Sequence, residues 1–222
     1  MRDIARELGF SRSTVASAVL RLGRQAMAAH LQMFSGCLSS AHLCFDGLLS
    51  ALSSHDYPAQ ITTLGDSESE IILAMTHCVT YRGGTLTAAQ QRRRERHQAV
   101  WAPSRGALTQ SIALLVKELS RFASPRKLLI DTDEHPNYPC VIDRDLALRW
   151  YRDSDRLRVR RTVSTAPRTT GNPLFLMNYV DRMIRHRLKE HTRQTISCAR
   201  NATMQMHRMW IFCWDHNCCQ PK

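Results

Sequence analysis

The sequence predicts a mixed α/β fold that follows a helical N-terminus. Three stretches rich in β-forming residues follow one another closely at 41–48, 60–64 and 70–76, which favours an antiparallel meander. A later apolar run at 128–130 ends in a cluster of acids and predicts a buried strand. Because apolar residues also recur at helical spacing around that run, we expect helices and strands to alternate in the second half of the chain.

The composition indicates a basic globular protein. The chain has 222 residues, 43% of them hydrophobic, which is enough for one domain with a sizeable core and a small additional unit. Lys and Arg outnumber Asp and Glu by 31 to 19, so the expected partner is a polyanion, in the first place nucleic acid. Since the chain shows neither a membrane-spanning run nor a signal-peptide core, we expect a cytoplasmic, nucleoid-associated protein without membrane contact.

Residues 1–33 predict a helix-turn-helix. Ile4, Ala5 and Leu8 form the apolar face of a first helix that ends at Gly9, and Ser11 is placed to cap a second helix. We expect the second helix to turn Val15, Val19 and Leu22 inward. Residues 33–40 are small and polar, and they are interpreted as a linker to a second domain at 41–222.

The segment IARELGFSRSTV resembles the helix-turn-helix of bacterial DNA-binding proteins. In such a unit the second helix offers polar side chains to the major groove and arginines to phosphates. The predicted DNA-contacting residues of this helix are Arg12, Ser13, Thr14, Ser17 and Arg21.

The later elements follow from the periodicity of apolar residues. A core helix is predicted by Leu108, Ile112, Leu115, Leu119 and Phe122. After the buried strand, residues 145–151 predict a short helix and 157–163 a strand with a basic face. A last helix begins beyond the loop at 165–173. The basic run at 92–96 is compatible with a helix, and we interpret it as a solvated face.

Three carboxylates stand where a sheet of this order would bring them together. Asp46 lies in the first strand, Asp133 directly follows the fourth, and Asp181 lies on the last helix. In a ribonuclease-H-like sheet the first and fourth strands are neighbours, and a late helix packs across their ends. Three acids there can hold two divalent cations, which activate water or a DNA 3′-hydroxyl for in-line displacement at phosphate. Hard oxygen ligands suit Mg²⁺ or Mn²⁺.

These residues resemble the DDE-type transposases of bacterial insertion sequences. The matching segments are CFDGL at 44–48, TDEHPNY at 132–138 and NYVDRMIRHRLKEHTRQTISCARN at 178–201. The resemblance implies metal-dependent cleavage and transfer of DNA strands by a ribonuclease-H-like domain. It implies two kinds of partner. One is double-stranded DNA, which comprises the element's terminal repeats and the target, and the other is further copies of the chain on that DNA. It assigns catalysis and metal binding to Asp46, Asp133 and Asp181, and further DNA contacts to Arg185, Lys189 and Arg193.

Two of the acids have local alternatives. Asp131 precedes Asp133 by two residues and would share its face of the strand. Glu190 is an alternative to Asp181, because the resembling transposases commonly carry Glu as the third acid. On a continuous helix, however, Glu190 would point half a turn away from Asp181.

Functions without catalysis also fit part of the sequence. The opening segment RDIARELGFSRSTV resembles the start of lactose-repressor-type regulators, so a non-catalytic DNA-binding regulator is the first alternative. Three closely spaced strands and basic charge throughout disfavour the small-molecule sensor of such a regulator. A second alternative is a truncated or inactive transposase remnant that still binds DNA.

Overall fold

The computed structural model describes residues 2–34, 41–122, 127–192 and 198–220. These residues form one five-stranded sheet, eight α-helices and two short turns, one of 3₁₀ type at Lys189–His191 and one of π type at Asp215–Cys219. The elements in chain order are α1 (Arg2–Glu7), α2 (Arg12–Phe34), β1 (His42–Leu52), β2 (Ser54–Asp66), β3 (Ile71–Val79), α3 (Ala88–Val100), α4 (Ala107–Phe122), β4 (Leu128–Asp133), α5 (Asn137–Arg144), α6 (Leu146–Asp153), β5 (Leu157–Thr162), α7 (Phe175–Arg187) and α8 (Ala202–Trp214). None of the helices in the described ranges is both long and apolar enough to cross a membrane.

The strands form a mixed sheet in the order β3-β2-β1-β4-β5. β1, β2 and β3 are an antiparallel meander, whereas β4 runs parallel to β1 and β5 runs parallel to β4. Helices flank this sheet, so the predicted fold class, a ribonuclease-H-like mixed sheet behind two N-terminal helices, is confirmed.

The local predictions differ from the structure mainly at element ends. β2 extends through Asp66, because Gly65 and Asp66 still pair with β3, and the turn that follows occupies 67–70. Helix α5 was not predicted, although Tyr138, Val141 and Ile142 are buried at helical spacing. Its eight residues are too few for a clear periodic signal, and the helix is stabilised by packing against α4.

The core occupies both faces of the sheet. Because strand side chains alternate, Leu43 and Phe45 of β1 pack toward α4 and α5, whereas Cys44 and Leu48 pack toward α2, α7 and α8. The helices on the face with Cys44 and Leu48 position the candidate site. Among them, α7 contacts β1 on the face that also carries Asp46.

The turn between α1 and α2 has the expected chemistry. Gly9 adopts φ +67°, a left-handed conformation that ends α1, and the Ser11 hydroxyl accepts the Thr14 N–H at 3.1 Å. The predicted inward position of Leu22 is wrong, because 52% of this residue is exposed. The helix instead continues to Phe34 and buries the stripe Val15, Gly23, Ala26, His30 and Phe34.

The buried residues of α2 include Gly23, at which α2 and α8 approach each other closely. A Cβ atom at Gly23 would lie 2.7 Å from the His207 Cα atom, closer than backbone and side chain can come. Glycine therefore lets the two helices cross at short distance, which rotates Leu22 to the flank. The second half of α2 thus contributes to the core, while separate folding of residues 1–33 stays a prediction.

Candidate active site

Strands β1 and β4 bring Asp46 and Asp133 side by side. Their parallel pairing ends with Cys44 opposite Asp131, and each aspartate lies two residues further along its strand. Since side chains alternate, both aspartates lie on the face that also carries Cys44. Asp46 and Asp133 line one pocket of about 110 Å³.

Helix α7 adds Asp181 to the same region. A larger pocket of about 630 Å³ is lined by both Asp46 and Asp181. Because Asp46 lines both pockets, they are adjoining parts of one depression, which we call the carboxylate cleft and define by Asp46, Asp133 and Asp181. The structure thus brings the three predicted acids to one cleft.

The three acids do not form a ready-made metal cage. Over the described ranges, no group of three His, Cys, Asp or Glu side chains is arranged to hold a metal ion. A nitrogen of the Arg185 guanidinium lies 3.9 Å from a carboxylate oxygen of Asp181. Binding of a cation to all three acids would therefore require side-chain rearrangement, and metal binding stays a prediction.

The environment of Asp46 disfavours the ionised form of its carboxyl group. Burial raises the pKa of its carboxyl group, the Gly47 N–H lowers it, and the negative charge of Asp133 raises it further. The Gly47 N–H donates to Asp46 Oδ1 at 2.6 Å, and the charges of Arg168 and Arg185 also oppose the rise. Positive charge entering the cleft would lower the cost of ionising this half-buried carboxyl group.

Tyr138 is a buried phenol close to all three acids. The residue is 1% exposed, and its hydroxyl has no hydrogen-bond partner within the described part of the chain. Burial raises its pKa well above the ordinary value, with further increases from the carboxylates of Asp46, Asp133 and Asp181. The hydroxyl therefore stays protonated throughout the physiological pH range and can donate a hydrogen bond. Its place in TDEHPNY was the only sequence signal for it.

The cleft also has a basic and amide-bearing wall, of which the sequence analysis predicted only Arg185. Arg168 and Asn178 line both pockets, and Arg182 and Arg185 line the larger one. The Asn178 amide donates to the Leu174 carbonyl at 3.0 Å. Arg168 was missed because it lies in a Thr-, Pro- and Gly-rich loop without periodicity, where no pattern indicates which residues are neighbours.

The alternative acid Asp131 has a different environment. It is fully buried and receives two hydrogen bonds from the Arg160 guanidinium, at 2.6 and 2.8 Å, and lies 2.5 Å from His42 Nε2. A bidentate pair of this kind binds both carboxylate oxygens. Asp131 is therefore a structural ion-pair residue that joins β4 to β5, and it does not line the carboxylate cleft.

The alternative third acid, Glu190, also lies elsewhere. The expected continuation of the last helix past residue 188 is wrong, because α7 ends at Arg187 and Leu188 is extended. Glu190 lies in the 3₁₀ turn, is 7% exposed, and accepts a hydrogen bond from Arg208 at 2.7 Å. Glu190 is thus buried against Arg208 of α8 and does not line the carboxylate cleft.

The predicted DNA-contacting residues that the structure describes lie in three places: the carboxylate cleft, the 3₁₀ turn and α2. Arg185 lies in the carboxylate cleft, whereas Lys189 is exposed in the 3₁₀ turn and Arg193 lies outside the described residues. All five predicted positions on α2 are solvent-exposed, with the Ser13 and Thr14 hydroxyls each 2.8 Å from the Ser11 hydroxyl. Their contact with DNA stays a prediction.

A buried polar network supports the 3₁₀ turn. His191 Nδ1 lies 3.0 Å from the Ser50 hydroxyl, which accepts the Gln205 amide at 3.1 Å, and Gln205 in turn lies 3.0 Å from His77. Burial lowers the pKa of His191 to about 4, and burial also lowers the pKa of His77. Both imidazoles are therefore neutral in the folded protein at neutral pH.

Mild acid should destabilise the fold through His191. Its folded-state pKa is about 4, below the ordinary value of 6.5, so the folded state binds fewer protons than the unfolded state. The stabilisation from a neutral imidazole is present above pH 6.5 and is lost as the pH falls toward about 4. We expect this residue to lower the free energy of unfolding by up to about 1.4 kcal/mol per pH unit across that window.

Denaturant titrations at several pH values would measure this effect. His191→Gln keeps an amide near Ser50 but cannot titrate, so the pH dependence of its unfolding free energy should be flatter than that of the wild type. Equal slopes in the two proteins would contradict the assignment.

Comparison with known proteins adds no family to these observations. A scan against models of protein families finds no match, and a search of curated proteins finds no significant match either. The case for a function therefore rests on the fold and on the carboxylate cleft.

Proposed function

We propose that the chain is a DDE-type transposase of an insertion sequence, which binds the element's ends and catalyses metal-dependent cleavage and transfer of DNA strands. The observation that carries this proposal is the placement of the three acids. Asp46 and Asp133 lie at the same level of the adjacent parallel strands β1 and β4, and α7 adds Asp181 to their cleft. A ribonuclease-H-like sheet with acids at these positions suits phosphoryl transfer.

Mg²⁺ or Mn²⁺ is the proposed cofactor. The cleft offers carboxylate oxygens, the ligand type that both cations prefer. A cation would reduce the cost of ionising the half-buried carboxyl group of Asp46, which lies next to Asp133. Asp46, Asp133 and Asp181 would hold such cations, which would supply activation of the attacking hydroxyl and stabilisation of the developing negative charge.

The remaining cleft residues suit the binding of DNA phosphates. The guanidinium groups of Arg168, Arg182 and Arg185 stand beside the acids, and arginine binds phosphate oxygens through paired N–H groups. They would hold the phosphates on either side of the scissile bond and exclude other orientations of the backbone. The Tyr138 hydroxyl would donate a hydrogen bond to a cleft carboxylate after the rearrangement that metal binding requires, which would hold that carboxylate in place.

The N-terminal helices would supply recognition of the element's ends. The exposed polar face of α2 is the proposed contact with the terminal repeats, and pairing of two ends requires at least two copies of the chain on DNA. These steps place the protein at the nucleoid in our proposal.

The third acid provides the most informative test of the proposal. In an assay with a supercoiled plasmid that carries the DNA flanking the gene, the purified protein should nick and join strands when Mg²⁺ or Mn²⁺ is added. Asp181→Asn should lower the rate at least about a hundredfold, roughly 2.7 kcal/mol in the activation barrier. Glu190→Gln should retain the rate but lower the free energy of unfolding by about 1–3 kcal/mol, because a buried partner of Arg208 loses its charge.

The outcomes separate the hypotheses. The reverse pattern, with Glu190→Gln inactive and Asp181→Asn active, would move the third acid to Glu190. A wild-type protein that binds DNA without cleaving it would support a regulator or an inactive remnant. A protein that does not bind DNA would reject all three.

A further inference from the structure

Helix α3 forms a further basic surface, distinct from both the carboxylate cleft and α2. None of its 13 residues is buried, yet it begins with a complete capping box in which Thr87 and Gln90 exchange side-chain and backbone hydrogen bonds. A polar helix of this length is marginal in water by itself. Specific contacts must therefore hold it on the sheet.

An ion-pair cluster around Asp56 provides one such anchor. Asp56 is 4% exposed at the start of β2, and its carboxylate accepts hydrogen bonds from Arg82, at 2.7 Å, and from Arg93 of α3. His97 Nδ1 lies 3.8 Å from the same carboxylate. The charge of Arg93 is thus used to fix α3 to the β1–β2 hairpin.

The outer face of α3 keeps its positive charge. Arg92 and Arg96 are both exposed, and no carboxylate in the described ranges forms an ion pair with either. They are four residues apart, so they stand on one side of the helix about 6 Å from each other along its axis. The neighbouring acid, Glu95, accepts a hydrogen bond from Gln91 at 3.2 Å.

Aromatic rings pack at the C-terminal end of the same helix. Tyr57 and His97 stack with ring centroids 5.5 Å apart, and Trp101 lies 5.5 Å from Tyr57 while remaining 49% exposed. The Tyr57 hydroxyl donates to the Trp101 carbonyl at 3.2 Å, which fixes the loop after α3. Arginines beside an exposed, rigidly held aromatic ring are typical of nucleic-acid-binding surfaces. We call this surface the α3 patch and define it by Arg92, Arg96 and Trp101.

The location of the α3 patch relates it to the carboxylate cleft. Asp46 and the end of β1 at Leu52 are six residues apart, about 20 Å at the rise of an extended strand. The α3 patch lies beyond that end of the hairpin, because α3 is anchored at Asp56. A duplex whose scissile phosphate lay in the cleft would span this distance in about six base pairs.

We propose that the α3 patch is a third DNA-contact surface, besides α2 and the carboxylate cleft, and that it binds phosphates of the duplex flanking the cleft. The proposal rests on the proposed function in that its ligand is DNA. The proposal replaces the interpretation of 92–96 as a solvated face. In the proposal, Arg93 anchors α3, and Arg92 and Arg96 bind phosphates.

The salt dependence of DNA binding tests this surface directly. The equilibrium affinity of the full chain for a fluorescently labelled duplex would be measured in EDTA, over a range of about 50 to 200 mM salt, so that no cleavage interferes. Each lost phosphate contact lowers the slope of log affinity against log salt by about 0.9, so Arg92→Gln/Arg96→Gln should lower it by up to about 1.8. Glutamine retains helix propensity, and Arg93 still anchors α3.

A charge-matched control removes two arginines from α6. Arg149 and Arg152 are exposed and both contact Asp143, and Arg149→Gln/Arg152→Gln should leave the slope unchanged. An unchanged slope in the α3 variant, or an equal fall in the control, would overturn the α3 proposal while the proposed function stands. An unchanged slope together with a smaller assembly by light scattering would make the patch an interface between copies. No DNA binding by the wild type would overturn the proposed function as well.

Discussion

Asp133→Asn is expected to abolish strand cleavage and to leave the fold intact. The substitution removes the negative charge beside Asp46, yet the remaining side-chain oxygen can still accept the His135 N–H that Asp133 accepts at 2.8 Å. Loss of a carboxylate from a metal-dependent site should lower the cleavage rate by about 10³-fold, roughly 4 kcal/mol in the activation barrier. The free energy of unfolding should change by less than about 1 kcal/mol, since Asp133 is only half-buried.

Cleavage kinetics and chemical denaturation of the same preparation would measure both effects. Asp143→Asn is the matched control, because Asp143 is an exposed acid paired with Arg152 outside the cleft, and its substitution should leave the rate unchanged. Wild-type cleavage by Asp133→Asn would remove this residue from the site. Loss of folding would show that Asp133 is structural.

Asp131→Ala is expected to have the opposite effect, a large loss of stability. Asp131 is fully buried and joins Arg160 and His42, so the substitution leaves two cationic or polar groups without their shared partner. Breaking a buried ion pair costs about 3–5 kcal/mol, and the lower end applies because the Arg160 side chain is 42% exposed and can be rehydrated. We therefore expect the free energy of unfolding to fall by about 3 kcal/mol.

Urea titration near neutral pH would measure this loss. Asp143→Ala again supplies the comparison, because an exposed ion pair contributes less than about 1 kcal/mol. If Asp131→Ala were as stable as the wild type but could not cleave DNA, Asp131 and not Asp133 would be the functional acid. Together the two substitutions separate acids that are two residues apart in one strand.

Local pattern was enough to predict most of the elements. The β-rich stretches became β1, β2 and β3, and the regular spacing from Leu108 onward became α4. Backbone hydrogen bonding and the burial of one face depend on residues a few positions apart, so these features can be derived from a single chain. The ends of elements were predicted less accurately. The last helix breaks at Leu188, and Glu190 beyond the break pairs with Arg208 of a different helix, a contact that no local pattern indicates.

Roles within the candidate site depended on contacts between distant residues. Asp131 and Asp133 have the same residue type and the same strand parity, and only the partners Arg160 and His42 distinguish them. Arg168 and Tyr138 were assigned no role because nothing local indicated that either lies near Asp46. Asp46 in β1 was predicted as a site residue, because a charged group in an apolar strand costs free energy unless a partner or a function offsets it.

The stretch from Leu128 to Asp133 summarises both contributions. By itself the sequence determined a buried strand that ends in acids, because three apolar residues and an acidic cluster specify which side chains leave water and which do not. Only the tertiary structure decided that Asp133 stands beside Asp46, that Asp181 reaches the same cleft and that Asp131 does not. Strand register and helix packing set those positions, and both arise from contacts between residues tens of positions apart.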